Sequence, residues 1–330
     1  MDLPLYSALF LAFSLTMYVW LDGFDLGVGI LLLVQRHQAI RDHMVDSIWP
    51  IWDGNETWLV MTGVTLLAGF PLAYGILMPA FYIPLIAMLL SLGLRGVSFE
   101  FRVQREHTRR RWDIVFGVGS LVAAFMQGAI LGGLIEGVPV QNNEFSGTAF
   151  HGFGLLPVLS ATAVVAAYLV LGGGWLFLKS QSILRGYARH VIYVMVPAFA
   201  ILFTITCALS AIRQPGIRVA WQHHGVGLSV LCALMGVAAF AIVGTARRER
   251  HLIPLLSGFA LVGIGLGGFA WIVFPDIVPF RLSLWQASSS HLSHVFLLTG
   301  VSIVAPIILA YSGYAYWVFR GPTPEKGWGS

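Results

Sequence analysis

LYSALFLAFSLTMYVWLDGFDLGVGILLLV, residues 5–34, is an apolar run broken by only two charges, Asp22 and Asp25. A membrane-spanning helix needs about 20 mostly apolar residues. At about 1.5 Å per residue this run is about 45 Å long, more than a hydrocarbon core of about 30 Å, so it must tilt or protrude. The same pattern recurs at 56–75, 76–95, 114–135, 152–178, 191–212, 222–245, 252–273 and 293–319. The reading is an all-α polytopic membrane protein with nine transmembrane helices, the second and third joined by a short uncharged link at Phe70-Pro71. Of 330 residues, 57% are hydrophobic and 10% charged, whereas a soluble domain carries about 25% charge. A soluble domain, a disordered chain and a nucleic-acid binder are thereby excluded, despite the net charge of +4.

The basic residues test the span count. Sixteen of the nineteen fall on one side of the alternation: Arg36, Arg41, Arg95, Arg102, Arg105, Arg109, Arg110, Arg111, Lys179, Arg185, Arg189, Arg247, Arg248, Arg250, Arg320 and Lys326. Arg213, Arg218 and Arg281 fall on the other. Lys and Arg are held on the cytoplasmic side, so the N-terminus is expected outside and the C-terminus in the cytoplasm. Met-Asp-Leu-Pro-Leu lacks a basic n-region, which makes the first helix a retained span and not a signal peptide. Cys207 and Cys232 lie in apolar stretches, with no CxxC, so neither a disulfide framework nor a zinc motif is expected. No repeat of 20–50 residues is present, which excludes a solenoid or propeller.

Carboxylates inside a span are costly and raise a functional hypothesis by default. Asp22 and Asp25, three apart, share a helix face. Gly23 and Gly27 form a small-xxx-small step that admits another backbone, so the acids are expected to face packed protein. They would share a proton or hold a cation, or else cap helix ends or accept from an Arg. A second cluster, Trp49-Pro50-Ile51-Trp52-Asp53-Gly54-Asn55-Glu56-Thr57-Trp58, opens the second helix. Asp53 is expected as its N-cap, with Glu56 completing a capping-box-like pair, and Trp52 and Trp58 as an interfacial belt. The functional alternative makes Asp53 and Glu56 a site of proton uptake. A third cluster, Arg95-Gly96-Val97-Ser98-Phe99-Glu100-Phe101-Arg102, offers Arg95 and Arg102 as partners for Glu100, Asp53 or Asp25. Arg105 to Arg111 reads as a solvated basic loop beside anionic headgroups.

A membrane b-type haem needs axial ligands such as His or Met. Here His37, His43, His107, His190 and His251 fall in loops or at cytoplasmic ends, and His151, His223 and His224 open helices on the outer side. Only His291 and His294 pair at i,i+3, again at a helix start. Mid-membrane His pairs are absent, so satisfied interfacial histidines are expected. No metal ligand set is expected either. The aromatics, 13% of the chain, are spread through all helices and mark no specific box.

DGFDLGVG at 22–29, WDGNETW at 52–58 and RGVSFEFR at 95–102, in that order and spacing, resemble subunit II of the cytochrome bd-type quinol oxidases. Leu284-Trp285-Gln286-Ala287-Ser288-Ser289-Ser290, before a last helix with Pro306, extends the resemblance over nearly the whole chain. The cyanide-insensitive lineage is one subgroup. The resemblance implies nine helices as two four-helix bundles plus a peripheral helix: residues 1–135 with the acidic motifs, 136–273, and 274–330 with the last helix and a cytoplasmic tail. It implies a heterodimer with a haem-bearing subunit I in the bacterial cytoplasmic membrane. Subunit I would hold two haem b and one haem d and take quinol and oxygen. No cofactor is assigned to this chain. A structural quinone, held by some relatives, and a small single-helix accessory subunit are left open, as is bound lipid. Subunit I would oxidise quinol on the outer side and reduce dioxygen to water with protons drawn from the cytoplasm. Asp53 would lie on that proton path at the subunit interface, with Glu56, a position where relatives carry Gln or Glu, as a further relay. Two other readings stand beside this one: a purely structural scaffold subunit, and a proton- or cation-coupled secondary transporter, which also buries acids but usually shows repeated halves.

Overall fold

The computed structural model describes residues 2–104, 106–180 and 182–323; Arg105 and Lys326 of the basic set lie outside them. Helix α1 (Leu3–Val34) is capped by Asp2, whose carboxylate accepts from the Leu5 amide at 3.2 Å, and Pro4 in its first turn needs no donor of its own. A short amphipathic helix, α2 (Gln38–Ile48), follows, then α3 (Trp52–Gly69), α4 (Pro71–Ala80) and α5 (Tyr82–Gln104). The remainder is α6 (Arg109–Glu136), α7 (Leu155–Lys179), α8 (Ser182–Arg213), α9 (Pro215–Arg247), α10 (Ile253–Val273) and α11 (His291–Val318).

Eight helices among the described residues are long and apolar enough to cross a membrane: α1, α5, α6, α7, α8, α9, α10 and α11. The chain is a multi-pass membrane protein. The stretch expected as a second span, 56–75, is not continuous. Helix α3 stops at Gly69, Phe70 leaves helical geometry, and Pro71 opens α4, a ten-residue helix. The third span starts at Tyr82 and not at residue 76. Apolar content alone does not separate a spanning segment from a short buried helix. Phe70, Ala73, Ile76 and Phe81 form a second core with Val138, Val278, Leu282 and Leu284 from loops at the same end of the molecule. Elsewhere the helices outrun their apolar windows. Helix α8 begins at Ser182 and α9 at Pro215, because basic and polar turns continue a helix outside the hydrocarbon. His223 and His224 therefore lie inside α9, at a kink where His224 departs from helical angles.

Helix α1 packs against α3, α6, α7 and α11, and α5 packs on α6. Helices α7, α8, α9 and α10 contact one another in ring order, with α7 also against α6. Two hairpins join the long helices. The first, β1 (Val140–Gln141) and β2 (Glu144–Phe145), turns through Asn142 and Asn143, both at positive φ, a conformation Asn tolerates. The second is β3 (Asp276–Val278) and β4 (Leu282–Ser283). Segment 284–290 then seals the adjacent helix ends. The Ser289 amide donates to the Gly69 carbonyl at 2.9 Å, and Ser290 caps α11 by accepting from the Ser293 amide at 3.2 Å.

Candidate functional site

The glycine step in α1 sets the site. A Cβ on Gly27 would sit 1.9 Å from the Tyr168 carbonyl oxygen, and one on Gly172 would sit 2.6 Å from the Gly27 carbonyl carbon. Helices α1 and α7 therefore touch backbone to backbone, while Gly29 admits Ser120 and Phe116 of α6. Wedged in this way, α1 carries Asp22 and Asp25 fully buried.

Arg95, on α5 and also fully buried, reaches Asp22 with Nη2 to Oδ1 at 2.7 Å and Glu56 Oε1 at 3.4 Å. Its guanidinium lies near the rings of Trp52 (5.9 Å) and Phe116 (5.8 Å), where its planar cation is favoured. Asp25 instead accepts from Asn55 Nδ2 at 2.7 Å, and Asn55 Oδ1 accepts from the Tyr316 hydroxyl at 2.9 Å. The arrangement joins α1, α3, α5 and α11 in one polar cluster within apolar packing. Arg95 Nε and Nη1, Asp22 Oδ2 and Asp25 Oδ1 are buried without a hydrogen-bond partner among the described residues, the condition in which buried water is retained. Tyr18 and Tyr168 extend the polar set, both linked to Gln127 at 2.7 and 2.6 Å.

The structure corrects several expectations. Asp53 is not the N-cap. Helix α3 already begins at Trp52 after Ile51, without a side-chain cap bond, and Asp53 sits exposed in the first turn. Glu56 does not close a capping box, because it faces the Arg95 cation, a stronger partner than a backbone amide. Trp58 does not stand in an exposed belt. It is fully buried against Phe13, and half-buried Trp52 stacks on Phe99 at 4.9 Å. Glu100 pairs with neither Arg95 nor Arg102. Those two residues lie seven apart on the buried face of α5, while Glu100 lies on the exposed one.

Arg102 belongs to a second cluster that the sequence did not reveal. Asp113, fully buried at the start of α6, accepts from Arg41 Nε at 2.8 Å through one oxygen and from Arg102 Nε at 2.7 Å through the other. Arg102 also pairs with Asp42, and Arg41 donates to the carbonyls of Gln35 and Arg36 at 3.1 and 2.8 Å. This clamp fastens α2 to α5, α6 and the end of α1. Desolvation pushes the carboxyl of half-buried Asp46 up from its ordinary value, against the pull of Arg102. The signal for Asp113 was an acid one turn inside an apolar helix, masked by the three arginines before it.

His294 is buried with both ring nitrogens engaged, Nδ1 with Ser7 Oγ and Nε2 with Ser288 Oγ, each at 2.8 Å. Among the described residues no group of three or more His, Cys, Asp or Glu is arranged to hold a metal ion.

A family model described as cytochrome bd terminal oxidase subunit II matches residues 3–319. Similar curated proteins include cytochrome bd-I ubiquinol oxidase subunit 2 of Escherichia coli (strain K12), 29% identical, with 96% of this chain and 93% of that protein aligned. Cytochrome bd ubiquinol oxidase subunit 2 of Bacillus subtilis (strain 168) is 27% identical, over 94% and 93% respectively. In the solved structure of bd oxidase from Geobacillus thermodenitrificans, one chain superimposes with a TM-score of 0.76 at 10% identity, covering 96% of this chain and 98% of that one. That likeness is one of fold.

Proposed function

The chain belongs to the cytochrome bd terminal oxidase subunit II family and is a subunit of a bd-type quinol oxidase, and from that premise we propose that it supports a haem-bearing subunit I and supplies part of the cytoplasmic proton path for oxygen reduction. The observation that carries this reading is the buried cluster of Asp22, Asp25, Glu56 and Arg95. Asp53 lies exposed at its edge and Glu56 lies three residues deeper on α3. Asp53 takes protons from the cytoplasm, Glu56 passes them inward, and Arg95 holds the acids in place. A carboxylate at a partly desolvated interface exchanges protons near neutral pH. Glu100, on the exposed face of α5, stands outside this cluster. In this reading Arg102 and the Asp113 clamp serve stability only, which is where the scaffold interpretation is best supported.

Helix α3 is the ninth span, its 18 residues made less apolar by Asp53, Asn55 and Glu56. We read α1, α3, α5 and α6 as one four-helix bundle, residues 1–135, on the packing of α1 with α3 and α6 and of α5 with α6, and α7 to α10 as another, 136–273. Helix α11 is peripheral, in 274–330. The N-terminus faces outward and the C-terminus the cytoplasm, in a bacterial cytoplasmic membrane. The haems b and d, quinol and oxygen belong to the partner, a placement supported by the engaged nitrogens of His294. The family sets aside the transporter reading.

The experiment is a mild-detergent purification of this chain from its native membrane, with a reduced-minus-oxidised optical spectrum. A second large chain with haem b and haem d absorbance and quinol oxidase activity is the expected result. A folded chain that purifies alone and without haem contradicts the proposal.

A further inference from the structure

We infer that Tyr316 is a positioning residue for Asp25: its hydroxyl holds the Asn55 amide in the orientation that donates to the Asp25 carboxylate. The inference rests on the proton-handling role proposed for this cluster and adds a residue from the last helix. Asn55 is 1% exposed. Its Nδ2 gives to Asp25 Oδ2 at 2.7 Å and lies 3.4 Å from the Leu21 carbonyl oxygen. The only bond to its Oδ1 among the described residues comes from the Tyr316 hydroxyl, at 2.9 Å. An amide presents a donor at one end and an acceptor at the other. Without the phenol, a buried acceptor is left unsatisfied, and the amide turns to find another donor, which weakens its bond to Asp25.

Two further observations bear on the same place. The Tyr316 ring is held from α7. It packs edge-on to Trp175 at 6.1 Å, Trp175 stacks on Phe24 at 4.3 Å, and the Lys179 ammonium donates to the Phe319 carbonyl at the end of α11. Beside the Asn55–Tyr316 pair lies a cavity of about 10 Å³, lined by Pro50, Ile51, Gly54, Asn55, Ser312 and Tyr316 among others. That is about the space one water needs. The Ser312 hydroxyl that lines it is buried and has no hydrogen-bond partner among the described residues. The cavity thus offers the freed amide a polar direction in which to turn, along the seam of α3 and α11.

The test uses the intact oxidase with its partner subunit. In the redox-difference infrared spectrum, the carboxyl C=O stretch of Asp25 is identified as the band displaced by Asp25→Glu. Tyr316→Phe keeps the ring against Trp175 and removes only the hydroxyl. It is expected to shift that band and displace the pH profile of turnover, with haem content unchanged. Tyr314→Phe, an exposed neighbour on the same helix, leaves both as they were. If Tyr316→Phe loses haem, 3-fluorotyrosine encoded at position 316, a stronger donor of the same shape, is expected to move the band. A band that answers to Asp25→Glu but is unmoved by either change at 316 overturns the inference and leaves the proton role standing. The absence of any band answering to Asp25→Glu removes Asp25 from proton handling and overturns the inference, while the Asp53 and Glu56 relay is tested separately by Asp53→Asn.

Discussion

Arg95→Met is expected to abolish accumulation of the folded subunit. The guanidinium is fully buried between Asp22 and Glu56. Methionine fills much of the volume but leaves two carboxylates facing one another in apolar packing. Breaking a buried pair by removing one partner costs about 3–5 kcal/mol, a large part of the stability of an ordinary domain. Arg95→Lys is expected to recover little, since a single ammonium replaces a planar fork that also lies near Trp52 and Phe116. Arg95→Met combined with Asp22→Asn and Glu56→Gln removes the uncompensated charge and is expected to restore part of the yield. The measurement is the amount of monodisperse protein after size-exclusion chromatography in detergent. A single Arg95→Met variant with parental yield would show that the acids are not ionised against Arg95.

Gly27→Val is expected to be nearly as damaging, for a steric reason. The added Cβ would meet the Tyr168 carbonyl at 1.9 Å and the Gly172 amide nitrogen at 3.0 Å. Both obstacles are backbone, so relief requires α1 and α7 to separate, which also loosens Phe24 from Trp175. Ordinary overpacking costs about 1–3 kcal/mol; a backbone collision at the crossing of two spanning helices should exceed that. Gly236→Ala, where nothing lies within 4 Å of the added Cβ, is the contrast and should be neutral or slightly stabilising. The thermal midpoint of the purified protein reads both. Equal midpoints for Gly27→Val and the parent would mean that α1 and α7 do not touch as described.

Residues 22–29 were legible because two signals coincided there. Acids in a span must be buried, and glycines four apart admit a neighbouring backbone. The structure places both acids at 0% exposure and α7 against Gly27. What the sequence could not reveal was which partner each acid would take. Arg95 is 73 positions from Asp22, and only the packing of α5 on α6, and of α6 on α1, brings it there. Arg41 read as a loop charge, yet α2 turns it onto Asp113, 72 positions away. Tyr316 offered no local pattern at all, since its role depends on α11 lying against α3. The misplaced second span has a similar origin. Hydropathy measures what a segment is made of, while α4 is short because Phe70-Pro71 and Phe81 interrupt it and loop residues cover it. Trp58 departs from the expected belt because a tryptophan near a helix start serves an interface or a core according to helix phase, and position 58 turns inward.

The account stands on protons reaching the buried cluster from Asp53. The most direct measurement is quinol oxidase turnover per assembled haem d in the Asp53→Asn complex, an exposed substitution that leaves the Arg95 pairs intact. The expected result is full haem content with turnover reduced about a hundredfold, the low end of what a positioned proton-transfer group contributes. Parental turnover at parental haem content would contradict it and remove Asp53 from the proton path.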